Sequence, residues 1–439
     1  MGVYELKSLK DKKMLGMPWW LFLAVTVLMY VVGATGTLKN NMLGALGFAL
    51  FIGTLAGIAG DHIPIWNKWL GGGMLFAFFV AGALNTFKLL PASTIKTLST
   101  FNDVTGFLDL YIVALITGSI MSVDRKFLMK AFLGYIPTIL GGIILATIFG
   151  AAAAVAVGIV PMESVINIVF PIMGGGNGGG AIPMSQIWGD VTHLDPKVWY
   201  AKAFAILSLG NLVAVLFAAI LNRIGQKYPK LTGNGQLMEG MSNESPDAVK
   251  YKPELLDYAV GLGLGLVIYI LADVYASHIS LINTHKLGFT IHRFAFVVIF
   301  AALLNISNII PLNVKEGAKG IQSFFARYMS FPLMITVGIT TDLHSFVEVF
   351  TLGNLFVIVM VVLGAVIGTM LVGKLFHFYP VESAITAGLC MADGGGSGDV
   401  QVLGACNRME LMSFAQISSR IGGAIMLVLA SIVFGLYYA

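Results

Sequence analysis

The chain has 439 residues, 57% hydrophobic and only 11% charged, with a mean hydropathy of +0.87 and a formal net charge of +4. That is the composition of an all-α polytopic membrane protein. No basic run is interleaved with aromatics, which excludes a nucleic-acid surface, and two cysteines, Cys390 and Cys406, are too few for a disulfide framework and read as small apolar fillers.

Lys7, Lys10, Lys12 and Lys13 precede an apolar run from Pro18 to Gly36. The run is longer than a signal-peptide core and lacks a small-residue cleavage site, so it is expected to stay as a first span. Leu6 stands where a myristoylation signal needs Ser or Thr, so no lipid anchor is expected. At about 20 apolar residues per crossing, eleven transmembrane helices are expected, near 18–36, 42–59, 71–90, 106–122, 131–159, 200–222, 258–278, 289–307, 324–341, 352–375 and 411–437. Two moderately apolar stretches remain, near 162–190 and 380–405. Each is broken by a glycine-rich knot, GGGNG at 174–178 and GGGSG at 394–398, and both read as re-entrant hairpins.

The polar stretch 223–257 divides the chain and reads as a cytoplasmic linker. Residues 1–40 then form the basic segment with the first span, 41–222 a first repeat and 258–439 a second. The halves match by position. Asn85 with Pro91 recurs as Asn305 with Pro311, Asp124 as Asp342, Pro161-Met-Glu-Ser as Pro380-Val-Glu-Ser, and Gly174 as Gly394, at offsets of 218 to 220. An odd number of crossings separates equivalent spans, so the repeats are expected to have inverted topology, the architecture of secondary transporters with interrupted helices near the midplane. With the N-terminus inside, eighteen of the 26 Lys and Arg fall on that side and seven on the other, which by the positive-inside rule puts the C-terminus outside.

The one basic residue left for the membrane is Arg420. Nine residues past the start of the last span, at about 1.5 Å each, place it roughly 14 Å deep. An arginine there costs roughly 2.5 to 3.5 kcal/mol to insert, and its guanidinium fork matches a carboxylate. An anionic ligand is the expected partner; a structural pair with a buried Asp or with hairpin carbonyls is the competing reading. The glycine knots offer amides to an anion, while their carbonyls, with Asn177, Asp393 and Ser397, offer hard oxygens to a small cation. Close helix packing is the bland alternative, but packing glycines recur every fourth residue and these are consecutive. Glu163 and Glu382 stand at the hairpin mouths, with proton handling and a capping or solvated role both open. Ser418 and Ser419 offer further oxygens or bond back to their own helix. The seven histidines show no metal-ligand spacing, and no nucleophile stands near a base, so neither a metal centre nor an enzyme is expected.

Pro171-Ile-Met-Gly-Gly-Gly-Asn-Gly, Gly395-Gly-Ser-Gly-Asp, Asn407-Arg-Met and Ala415-Gln-Ile-Ser-Ser-Arg-Ile-Gly-Gly together resemble the bacterial 2-hydroxycarboxylate transporter family, over nearly the whole chain. The resemblance implies an inner-membrane homodimer, each protomer with a scaffold domain and a mobile substrate-carrying domain that moves like an elevator. It implies transport of citrate, malate or related acids with Na+ or H+, or exchange against a product such as lactate, and no further cofactor. By matching motif it assigns substrate contacts to Arg420, Asn177, Gly178, Gly395, Gly396 and Ser397. It places ion-coordinating groups at Cys390, Asp393, Asn177, Ser418 and Ser419.

One departure bears on the substrate. Sodium–citrate members resemble Asn-Arg-Gly-Gly-Ser-Gly-Asp where this chain reads Asp393-Gly394-Gly395-Gly396-Ser397-Gly398-Asp399. The arginine absent at Gly394 leaves one carboxylate of a tricarboxylate without a partner, which tilts the expectation toward malate. Asp393 suits either a cation site or a proton carrier, with sodium favoured. A cation-coupled symporter is thus expected, a precursor–product exchanger is its nearest alternative, and an anion channel with a glycine filter is the reading from a different class.

Overall fold

The computed structural model describes residues 13–64, 72–122, 125–238, 251–279, 292–339, 348–395 and 397–438. Lys7, Lys10, Lys12, Asp124 and Asp342 lie outside them. Apart from a two-residue hairpin, β1 (Lys13–Met14) on β2 (Met17–Pro18), the regular structure of these residues is helical.

In order come α1 (Trp19–Ala34), α2 (Met42–His62), α3 (Gly72–Thr86), α4 (Ala92–Thr105), α5 (Phe107–Met121) and α6 (Arg125–Ala156). The first glycine knot lies between α7 (Pro161–Met173) and α8 (Ile182–Thr192). After it come α9 (Pro196–Lys227), α10 (Leu255–Val274), α11 (Arg293–Ser307), α12 (Leu312–Phe324), α13 (Ser330–Gly338) and α14 (Leu352–Leu375). The second knot lies between α15 (Pro380–Ser383), which runs on as a wide helical turn over Ala384–Leu389, and α16 (Ser397–Ala405). The last helix is α17 (Phe414–Tyr438).

Local chemistry starts these helices. Asn41 accepts the Gly44 N–H ahead of α2, and Thr351 accepts the Asn354 N–H ahead of α14. Asp195 accepts the Lys197 N–H while Pro196 opens α9, and Glu254 with Asp257 forms a capping box for α10.

Among the described residues, six helical segments are long and apolar enough to cross a membrane: Met42–His62, Gly134–Ala156, Pro196–Lys227, Leu255–Ile279, Leu352–Leu375 and Phe414–Tyr438. The helices α1, α3, α5, α7 and α11 are apolar but shorter. Counting apolar residues overran some of their ends, because apolar residues continue through turns that break the backbone. Lys88 (φ 53°), inside the span expected to reach 90, lies two residues past the end of α3; the expected end of α11 at 307 is met, with Asn308 (φ 60°) closing the helix. Two helices were not expected, α4 and α12. Both are opened by prolines of the positional repeat, Pro91 and Pro311, and their weaker apolarity hid them among loops.

The chain divides into two compact units. One comprises Met1–Asn67, Gly71–Asp109 and Tyr328–Leu343. Within it α2 packs on α13 closely enough that a methyl group at Gly53 would lie 2.7 Å from the Phe331 carbonyl oxygen. The other comprises Lys68–Leu70, Leu110–Arg327 and His344–Ala439, and holds both glycine knots and α17. In it α6 and α14, the long helices that lead into the two knots, pack along each other, with Gly142 against Thr369.

Candidate functional site

Proline begins the leg leading into each knot. Pro161 and Pro380 occupy first-turn positions, where the missing N–H costs nothing. Both legs then widen into π-type turns, at Val165–Val169 and Ala384–Leu389, and the chain widens again at Asn177–Ala181 and at Ser418–Gly422. Such turns free carbonyls from the regular ladder and recur at functional sites.

Glycine is required at the tips themselves. Gly175 (φ 70°), Gly176 (φ 109°) and Gly395 (φ 69°) adopt left-handed backbone that side chains resist. A Cβ on Gly176 would lie 2.8 Å from both the Gly394 carbonyl oxygen and the Gly395 Cα. One on Gly175 would strike the Ser419 carbonyl oxygen and come within 3.0 Å of the Gly423 Cα. The two knots therefore touch each other, and the first also touches the turn of α17 that carries Arg420.

Around this meeting point the structure gathers several of the expected residues. Cys390, Asp393 and Asp399 are buried, and their Sγ and carboxylate oxygens lie within 4.8 Å of one another. Asp393 Oδ1 accepts the Gly395 N–H at 2.7 Å, while the buried Oδ2 has no hydrogen-bond partner among the described residues. Ser419 Oγ lies 2.9 Å from Asp399 Oδ1 and 2.7 Å from the Cys390 carbonyl oxygen. Its single proton serves one of these acceptors at a time. Two carboxylates, a hydroxyl and a carbonyl form a hard-oxygen set that fits a small hard cation; the thiol is the soft member.

Asn177 is buried, with Oδ1 accepting from Tyr200 Oη at 2.9 Å and Nδ2 left without a partner. Gly178 lies against α5, where a Cβ would sit 2.6 Å from Leu115 Cδ1. Ser418 is buried with an unpartnered Oγ. Arg420 makes one hydrogen bond among the described residues, from Nη1 to Ser122 Oγ at 2.6 Å, and no ion pair. Gly396 lies outside the described residues, as does the side chain of Ser397.

Sequence reasoning passed over four further groups. Asp399 stood inside a quoted motif without a role. Asn211, a lone amide in the apolar run of α9, accepts the Gly394 N–H at 3.1 Å and donates to Gln401 Oε1 at 2.9 Å, clamping the second tip. Its signal was visible as a polar interruption. Ser122 and Tyr200 carried none, since Ser and Tyr are common at helix ends and in cores.

The starts of the two proline-led legs differ from each other. Glu163 is exposed, whereas Glu382 is fully buried and accepts from Arg408 Nε at 3.0 Å, Thr232 Oγ1 at 2.6 Å and the Gly233 N–H at 2.9 Å. A capping and pairing role thus replaces solvation at Glu382. At the end of α8, Asp190 meets His292 Nε2 at 2.8 Å. Burial would raise its carboxyl, but the His292 hydrogen bond and charge, with Arg293, hold it below the usual carboxylate range. Both cysteines are free and buried.

The sequence profile of the 2-hydroxycarboxylate transporter family matches residues 14–432. The chain is 41% identical over 427 residues to the citrate/sodium symporter of Salmonella typhimurium, covering 97% of this chain and 95% of that protein. It is 41% identical over 431 residues to the citrate/sodium symporter of Klebsiella pneumoniae, with the same coverage, 97% and 95%. With the citrate/malate-proton symporter of Bacillus subtilis it shares 32% identity over 408 residues, 91% of this chain and 87% of that protein. The chain belongs to the 2-hydroxycarboxylate transporter family, whose members are membrane carriers and not enzymes.

Proposed function

We propose that this protein is a cation-coupled symporter of 2-hydroxycarboxylates in the bacterial cytoplasmic membrane, with its N-terminus inside and its C-terminus outside. One observation carries the reading: two glycine tips meet beside a buried set of carboxylates and against the turn of α17 that holds Arg420. In this reading Asp393, Asp399, Ser419 and the Cys390 carbonyl coordinate Na+, with Ser418 nearby. Arg420 takes a substrate carboxylate, and Asn177, Gly178, Gly395, Gly396 and Ser397 complete the substrate contacts. A bound cation neutralises the carboxylates of the tips, so that an acid can be accepted without bare charge repulsion. Moving either an unpaired arginine or a lone dianion through an apolar surround is opposed by desolvation. Net flux then requires the empty and fully loaded forms, and the substrate-bearing segments move as an elevator within a homodimer.

The relatives' names support citrate and Na+ at the higher identity, and H+ with citrate or malate at the lower. Gly394 supports the smaller acid, so malate is the proposed preference. The test is uptake of radiolabelled malate and citrate into proteoliposomes, with and without an inward sodium gradient, for wild type and Arg420→Ala. Sodium-driven malate uptake that the substitution abolishes is expected. Uptake driven only by a pH gradient would transfer the coupling to H+; equal uptake by Arg420→Ala would remove Arg420 from the substrate site. Uptake that needs internal lactate and no cation gradient would favour the exchanger.

A further inference from the structure

Among the described residues Arg420 is held by a neutral hydroxyl and not by an acid, and that hydroxyl is itself oriented. Ser122 Oγ donates its only proton to the Ser119 carbonyl oxygen at 2.7 Å. Toward the guanidinium it can therefore act only as an acceptor, and Nη1 donates to it at 2.6 Å. The contact uses one N–H of five. It leaves the edge formed by Nε and Nη2 whole, and that edge can grip a carboxylate through two parallel hydrogen bonds.

The helix that Ser122 directly follows, α5, also reaches the first glycine knot. Leu115 and Tyr111 of α5 stand 2.6 Å and 3.6 Å from where a Cβ on Gly178 would be. Residues 111, 115 and 122 are separated by four and seven, spacings that keep them along one face of a helix. α5 thus borders Gly178 and, through Ser122 at its end, Arg420, which are far apart in sequence.

From this geometry we infer that Ser122 is a positioning residue for the carrier's substrate site, fixing the guanidinium of Arg420 by one edge so that the other is presented to the carboxylate. An acidic residue at 122 would fill the fork and compete with substrate; an apolar one would let a long side chain sample several rotamers. A serine with its proton already committed does neither. The inference rests on Arg420 being the substrate's carboxylate partner.

The experiment uses full-length protein in proteoliposomes under an inward sodium gradient, with labelled malate and citrate. It compares wild type, Ser122→Ala, Ser122→Cys, Ser122→Thr and Arg420→Ala. Losing a hydrogen bond that orients a charged group is expected to raise KM about tenfold in Ser122→Ala, with the maximal rate within about twofold. Ser122→Cys, whose thiol is a weak acceptor, should follow Ala, and Ser122→Thr, which keeps the oxygen, should recover most of the affinity. A KM for both Ala and Cys variants equal to wild type, while Arg420→Ala is inactive, overturns the role of Ser122 and leaves the substrate site standing. Activity in Arg420→Ala overturns the substrate site itself. If Ser122→Ala does not fold, the Cys and Thr pair decides the matter, because only their acceptor strength separates them in this role.

Discussion

At Gly394 the backbone has no need of glycine. Its φ is not in the left-handed range, and the nearest atom to an added Cβ is Asn211 Oδ1 at 3.9 Å. The flanking positions are different: Gly395 is left-handed, and a Cβ on Gly398 would lie 2.8 Å from the Asp393 carboxylate. A Cβ therefore fits at Gly394 without distorting the tip, and that is where sodium–citrate relatives are expected to carry arginine. Gly394→Arg should supply a cation for a third carboxylate and lower the KM for citrate relative to malate about tenfold, the effect of one charge-assisted hydrogen bond. The ratio of the two KM values in proteoliposomes checks it; an unchanged ratio in an active variant would sink the link between Gly394 and substrate size. Arg420 could be singled out from sequence because a guanidinium inside an apolar run has few roles. Ser122 could not, because its meaning comes from a partner 298 positions away.

The leg leading into the second glycine knot shows what pattern alone reads poorly at the scale of an element. Its proline, glycines and repeat position were all visible, but its anchor was not. Arg408 was counted as a basic loop residue; in the structure it is buried, and it donates to Glu382, Asn222 Oδ1 at 2.7 Å, the Cys406 carbonyl at 2.8 Å and Thr232 Oγ1 at 3.0 Å. Four separate stretches of chain supply these groups, so no local period announces them. The network ties the turn after α9, at Thr232 and Gly233, to the base of α15. Glu382→Gln leaves the Arg408 charge buried without its counter-ion, and breaking such a pair costs about 3–5 kcal/mol. Thermal unfolding in detergent should show a clear loss of stability, while Glu163→Gln at the exposed counterpart should be nearly silent. Equal shifts in the two variants would mean that the buried network does not hold the hairpin. Helices α4 and α12 were missed for a different reason. An amphipathic segment beside apolar spans looks like a loop on a hydropathy count, and only the recurring proline before each marked them.

At the scale of the whole molecule, the proposed mechanism makes the charges at the tips decide which forms can cross. Arg420 is one positive charge, and Asp393 and Asp399 contribute up to two negative ones, all in the same unit. A carrier loaded with both acid and cation can shuttle in either direction, so exchange of labelled for unlabelled malate needs no empty return step. Net accumulation does need it, and coupling depends on forbidding the half-loaded forms. Removing one cation ligand should therefore separate the two activities. Asp399→Asn weakens the hard-oxygen set without touching Arg420, and high sodium on both sides can still load it. Proteoliposomes preloaded with malate and bathed in saturating sodium should then retain counterflow of labelled malate, while a sodium gradient alone no longer concentrates it. Wild type should do both, and internal malate should accelerate entry of the label. A channel would give no such acceleration, because a pore has no loaded form to return; that result would overturn the carrier reading of the glycine tips. If Asp399→Asn instead concentrates malate as well as wild type does, the ion is held elsewhere and the buried carboxylates serve only to shape the tip.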